Sequence, residues 1–196
     1  DGGQNTMMNI QPDGIEFQTG NTERARIISD GTMLFGKTSV NFAVAGVEIH
    51  QVGSLNLARA ATVLNLNRLT SDGETVVFHR NTVDVGSIDV TGSGTSYNTS
   101  SDYRLKENVD YTWDATTRLK QLKPARFNFK VDADTTVDGF LAHEAQAVVP
   151  ECVTGTKDEV DGDGVAVMQG IDQSKLVPLL VKTIQELEAR ITALEG

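Results

Sequence analysis

Cysteine is almost missing from these 196 residues; Cys152 is the only one. A single thiol excludes an intrachain disulfide framework and fits a chain assembled in a reducing cytoplasm. Basic charge is also short, with a formal net charge of −10. Nucleic acid and anionic membrane surfaces both select clustered Lys and Arg, so neither is expected as a partner. No apolar run approaches the ~20 residues that span a bilayer, which argues against membrane insertion. The first residues lack the basic-then-apolar order of a signal peptide, and Asp1 is compatible with a cut made in a longer chain.

The scarcities are unevenly spread. Lys37 is the one lysine of the first hundred residues, which also lack tryptophan and are rich in Gly, Thr, Ser, Asn and Val. The remainder holds the single Trp, three of the four prolines and the other lysines. This shift marks two regions, 1–100 and 101–196. The boundary falls near 91–101, where "TGSGTSYNTSS" reads as a turn-rich connection.

In the first region short alternating runs ("GIEFQ", "ARIIS", "TMLFGK", "VEIHQ", "LNLAR", "TVVFHR", "TVDVGSIDV") lie between turn signals. Pro12-Asp13-Gly14, Ser29-Asp30-Gly31 and Ser71-Asp72-Gly73 are each a plausible tight turn, so the region is predicted to be all-β with hairpins. It has few large core formers, although a small domain already buries proportionally little surface. Two expectations follow: a core shared among copies, as in intertwined trimeric β structure, or an ordinary sandwich. "TERARIISDGTMLFGKTS" and "LNLNRLTSDGETVVFHRNTVDVGSI" resemble the shaft sequences of bacteriophage tail fibres.

Beyond the boundary the period changes. "DATTRLKQL" (114–122) predicts a helix with Asp114 as N-cap and Pro124 closing it. "ARFNFKV" alternates as a strand, and "DGFLAHEAQAVVP" predicts a short strand and a helix ended by Pro150. "ECVTGT" and "VAVMQGI" flank the acidic turn "KDEVDGDG" as a hairpin. In the last segment Val177, Leu180, Ile184, Leu187, Ile191 and Leu194 fall at alternating steps of 3 and 4, an a/d seam. Ser174 is its expected N-cap, with Pro178 tolerated in the first turn. Glu186 and Arg190 form an i,i+4 pair of the favourable order. The helix either packs on its own domain or self-associates through the seam, where isoleucine is compatible with more than two strands. The class of this region is α+β.

Glu159, Asp161 and Asp163 approximate an EF-hand start, but Gly170 stands where a bidentate Glu is required, so a solvated turn is expected. His50, His79 and His143 show no ligand spacing, and no metal or other cofactor is expected. His143 and Glu144, at a helix start, fit a catalytic, interface or capping role. In "SSDYRLKENV" (100–109) Ser101 and Lys106 could form a nucleophile and base. A lysine serves as base when burial or charge lowers its pKa. A non-helical turn must bring the two together, because i+5 does not share a helical face.

"SDYRLKENV", "RLKQLKPARFNFK", "DGFLAHEAQAVVPECV" and "IDQSKLVPLLVKTIQELEARI" resemble, block by block and in order, the endosialidase-type intramolecular chaperone family. This is the C-terminal auto-processing domain of phage tailspikes and tail fibres, and the resemblance runs over 101–196. It implies an all-β, trimeric, shaft-like region followed by an α+β chaperone domain with a long coiled-coil-like helix. The implied assembly is a homotrimer whose client is the preceding shaft, in a virion fibre that meets a host-cell receptor. After folding, the chaperone cuts itself off in the host cytoplasm.

By that resemblance Ser101 is the nucleophile and Lys106 its base, while Asp102 and Arg104, and less directly Asn108, order the turn. The expected scissile bond is Ser100–Ser101. Attack by Ser101 Oγ on the Ser100 carbonyl closes a five-membered ring, whereas attack on its own carbonyl would need a strained four-membered one. The rival expectation is a structural or receptor-binding fibre tip that keeps its C-terminal domain. A hydrolase of external substrates lacks a second nucleophile–base set.

Overall fold

The computed structural model describes residues 6–196. The chain divides into two compact units between Leu105 and Lys106.

The first unit is all-β. Strands β1 (Thr6–Gln11), β2 (Gly14–Thr19), β3 (Thr22–Ile28), β4 (Met33–Phe35), β5 (Gly46–Ile49) and β6 (Leu55–Ala58) form one antiparallel meander in chain order. β7 (Gly73–Arg80), β8 (Val83–Val90) and β9 (Thr95–Thr99) form a second sheet. Pro12-Asp13-Gly14 does turn β1 into β2, and a Cβ on Gly14 would meet the Ile27 carbonyl oxygen at 2.1 Å. At Ser29-Asp30-Gly31, Asp30 Oδ1 accepts from Thr32 N at 2.8 Å and Gly31 N donates to Ile28 O. Ser71-Asp72-Gly73 is not a hairpin turn: residues 59–72 are irregular and β6 does not pair with β7. The hairpins β2–β3 and β7–β8 turn instead at Gly20-Asn21 and Asn81-Thr82, with positive φ at both central residues as a primed turn requires. The connection 91–101 proves half strand. Thr91 closes a turn by accepting from Ser93 and Gly94 amides, after which β9 pairs with β8.

Register decides what the large sheet shows to solvent. Directly opposed residues share a face. Met8, Phe17, Ala25, Phe35, Val47 and Leu57 form one row across all six strands, and Ile10, Ile15, Ile27, Met33, Ile49 and Leu55 a second row beside it. All twelve are apolar, yet Ile10 is 76% and Leu55 59% exposed. The opposite face reads Asn9, Glu16, Arg26, Leu34, Glu48, Asn56. There the segment 36–45 wraps a buried ion pair: Lys37 Nζ lies 2.5 Å from Glu48 Oε1 and also donates to the Asn41 and Val44 carbonyls. Among the described residues of this unit Leu34 is the one buried hydrophobic. The polar face is covered over Leu34 and Glu48, whereas no residue of the apolar face is buried.

The second unit holds α1 (Ala115–Leu119), β10 (Ala125–Phe129), β11 (Asp132–Gly139), α2 (Ala142–Gln146), β12 (Val153–Thr154), β13 (Gly170–Ile171) and α3 (Val177–Glu195). Its core is Ala115, Ala145, Val149, Cys152, Leu176 and Leu179, with Trp113, Leu119, Leu122 and Phe140 packed around it. Burial pushes the Cys152 thiol above its ordinary pKa, as befits an inert core thiol. Asp114 caps α1 by accepting from Thr117 N at 3.0 Å, but the helix stops at Leu119, short of the expected 122. β11 starts seven residues before Gly139, drawn out by its pairing with β10 across a bulge at Asn128/Phe129. The acidic stretch is a loop between β12 and β13 with an isolated Val160–Ala166 bridge. Asp172, not Ser174, caps the C-terminal helical segment. It accepts from Ser174 N and Oγ, and a 3-10 turn at Gln173–Leu176 leads into α3.

Candidate functional site

Ser100 follows β9 directly, its amide donating to Val85 O at 3.4 Å. The chain then leaves the sheet in a 3-10 turn at Tyr103–Leu105. Asp102 builds this turn: Oδ1 accepts from Arg104 N at 2.8 Å and Nε at 2.9 Å, Oδ2 accepts from Nη2 at 2.8 Å, and its carbonyl accepts from Leu105 N. The paired carboxylate raises the Arg104 pKa. Ser101 and Lys106 are exposed side chains lying on either side of the division between the units.

From Lys106 to Asp110 the second unit begins as exposed, irregular chain. Asn108 has φ 54°, a left-handed conformation that Asn tolerates better than most residues, and the chain bends there. Asp110 Oδ1 accepts from Thr112 N and Oγ1, both at 2.7 Å, which lowers its pKa. His143 and Glu144 lie on α2. His143 is exposed, and Glu144 is engaged by Lys123 Nζ at 3.2 Å.

α3 presents two adjacent stripes. Leu179 and Thr183 are buried against its own unit. The heptad positions Val177 (53%), Leu180, Ile184 (63%), Leu187, Ile191 and Leu194 (88%) are all exposed. Own-domain packing and an open seam therefore coexist on one helix, about one residue, or 100°, apart.

Glu186 does not turn to Arg190. Its carboxylate accepts from Ala115 N at 3.0 Å, Thr116 N at 2.8 Å and Thr116 Oγ1 at 2.6 Å, a role invisible to helix spacing alone. These donors hold its pKa below the ordinary 4.5. A depressed carboxylate contributes stability that is present above its unfolded pKa and lost as pH falls through its folded one. The helical unit is therefore expected to melt at lower temperature as pH drops below about 4.5. Glu186→Gln should flatten that part of the profile, measured by circular dichroism at 222 nm; an unaltered profile in the variant counts against the link.

The Lys37–Glu48 network was also missed, though the isolation of Lys37 in its region was a signal. Glu48 Oε2 receives His50 Nε2 at 2.9 Å and Asn56 Nδ2 at 3.1 Å. Lys37, then Asn56 and the Asn41 amide, bring its pKa down to about 2. Every polar atom of the pair has a partner, as a buried charge demands, and the network holds segment 36–45 to the sheet.

Among the described residues no group of three or more His, Cys, Asp or Glu is placed to hold a metal ion, and no helix is long and apolar enough to cross a membrane.

Residues 101–154 match the family model described as the chaperone of endosialidase. That family is a self-cleaving peptidase domain, and the match supports a role in trimerisation or folding. The matched stretch opens at Ser101 and runs through α1, the β10–β11 hairpin and α2 to β12. The last resemblance block, which runs into α3, and the α3 seam lie outside it. No curated protein matches the chain.

Proposed function

We propose that this chain is the C-terminal part of a bacteriophage tail fibre or tailspike whose chaperone domain trimerises, folds the β region and then releases itself by cutting Ser100–Ser101. The observation that carries the reading is the twelve-position apolar face of the β unit, in a chain whose following stretch matches a chaperone family. Such a face stays in water only at a large cost and is covered in most stable proteins. Three copies facing inward would cover it without a second sheet from the same chain.

Long-range β pairing must meet its closure entropy before contacts reward it. A seam on α3 raises the effective concentration of the three β regions and sets their register. Cutting afterwards removes the folding aid and leaves the shaft kinetically stable.

The chemistry is a single turnover. Lys106 takes the Ser101 hydroxyl proton as Oγ attacks the Ser100 carbonyl carbon. The bond from that carbon to Ser101 N breaks, and the nitrogen leaves as an amine after taking up the proton. Water hydrolyses the resulting ester, freeing a Ser100 carboxylate and the Ser101 hydroxyl. Both side chains are exposed in the single chain. The desolvation that a general-base lysine needs would come from neighbouring copies, which ties cutting to assembly. The mature fibre would reside in the virion and present a surface to a host-cell receptor.

Val and Ile at a with Leu at d are the two-stranded pattern of isolated parallel coiled coils. Threefold stoichiometry thus rests on the chaperone match and the sheet face together. Native mass spectrometry of the purified protein is expected to show three copies of each fragment, with a new N-terminus at Ser101. A twofold mass overturns the trimer; an assembled, uncut trimer favours a structural tip that keeps its C-terminal domain.

A further inference from the structure

The segment between Lys106 and α1 has no regular structure of its own, and its far end is gripped from α3. Lys182 Nζ donates to the Tyr111 carbonyl at 2.9 Å. One turn on, the Glu186 carboxylate takes the Ala115 and Thr116 amides and the Thr116 hydroxyl. Both side chains flank the buried Leu179 and Thr183, on the side of that stripe away from the open seam. The Lys182 bond is exposed. An exposed carbonyl can be served equally well by water, so this bond adds little to stability. What it does is hold a loop to a helix.

We propose that Lys182 and Glu186 are positioning residues that transmit assembly at the α3 seam to the segment bearing Lys106. The inference rests on the self-cleavage reading above. Tyr111 is five residues from Lys106, so the Lys106 backbone sits at most about 18 Å of extended chain from the anchor, and the left-handed bend at Asn108 shortens that reach. Seam pairing immobilises α3, and the two straps pass that restraint to Tyr111, Ala115 and Thr116. Fewer loop conformations then compete with the one in which Lys106 can accept a proton.

The test uses the full chain with Lys182→Met, which keeps the stem, Lys182→Arg, which keeps a donor, and the double variant Lys182→Met/Glu186→Gln. Lys182→Met is expected to assemble and melt like wild type but to cut roughly tenfold to a hundredfold more slowly after refolding. Lys182→Arg should restore most of the rate. In a Ser101→Ala background, which keeps the chain whole, the double variant should exchange amide hydrogens faster over 106–112. A purely structural role would instead lower rate and melting temperature together, without rescue by Arg. Wild-type cutting by assembled Lys182→Met overturns the proposal, as does unchanged exchange in the double variant. A wild-type chain that never cuts sinks the self-cleavage reading instead, and the exchange comparison alone then decides whether the straps order the segment.

Discussion

Ser101→Ala stays at full length on a denaturing gel, while wild type resolves into two fragments, the shorter beginning at Ser101: this is the largest effect expected of any single substitution. Removing a nucleophile costs about 10⁴-fold or more in comparable sites, because no other group can form the covalent intermediate. The variant should still assemble, since Ser101 is exposed and lies outside the core and the seam. Lys106→Met should fail alike, with the nucleophile present but no base. Two outcomes would count against the assignment. Fragments beginning at Asp102 would move the scissile bond and require a serine from elsewhere. Migration of Ser101→Ala identical to wild type would remove self-cleavage at this residue altogether.

Phe35→Asp should abolish assembly of the β region. Phe35 sits in the middle of the apolar face, between Ala25 and Val47 on the neighbouring strands. It is 45% exposed in the single chain, so an aspartate there disturbs an isolated copy little. In an assembly that closes over the face, three carboxylates would be buried without partners, each at a cost of several kcal/mol. The expected readout is loss of the threefold mass, or a trimer joined only through α3 with a protease-sensitive β region. Gln11→Glu, on the opposite face of β1, is the control and should change little. If Phe35→Asp kept both its mass and its protease resistance, this face would not be the shared core.

Much of this was legible locally. Strand alternation foretold β2–β8, because a half-buried pleat imposes a period of two on the chain itself. Asp114 announced the start of α1 for a similar reason: a cap bonds within three residues, so its partner travels with it. β1 was overlooked, and β9 was hidden inside a Gly/Ser/Thr-rich stretch. Its strand character comes from pairing with β8 rather than from propensity. Ser71-Asp72-Gly73 misled in the opposite direction, since a turn sequence specifies a bend but not what its flanks pair with.

The candidate dyad and the seam were both visible as residue types at fixed spacings, and the family match opens at the candidate serine. What spacing could not supply was the use of long-range partners. Glu186 looked like half of an i,i+4 pair and is bonded to α1, seventy-one residues away from Ala115. Lys37 looked like an outlier of composition and is the centre of a buried network.

The sequence by itself determined the two regions, the strand period, the heptad seam and the Ser–Lys spacing, because each is set by neighbours along the chain. Only the tertiary structure decided that the apolar face of the six-stranded sheet is the open one, and that α3 carries a packed stripe beside a free one. It also placed the segment after Lys106 under the hold of Lys182 and Glu186. Those outcomes depend on register and on which distant donors find which acceptors, and neither is encoded within reach of a single helical turn or hairpin.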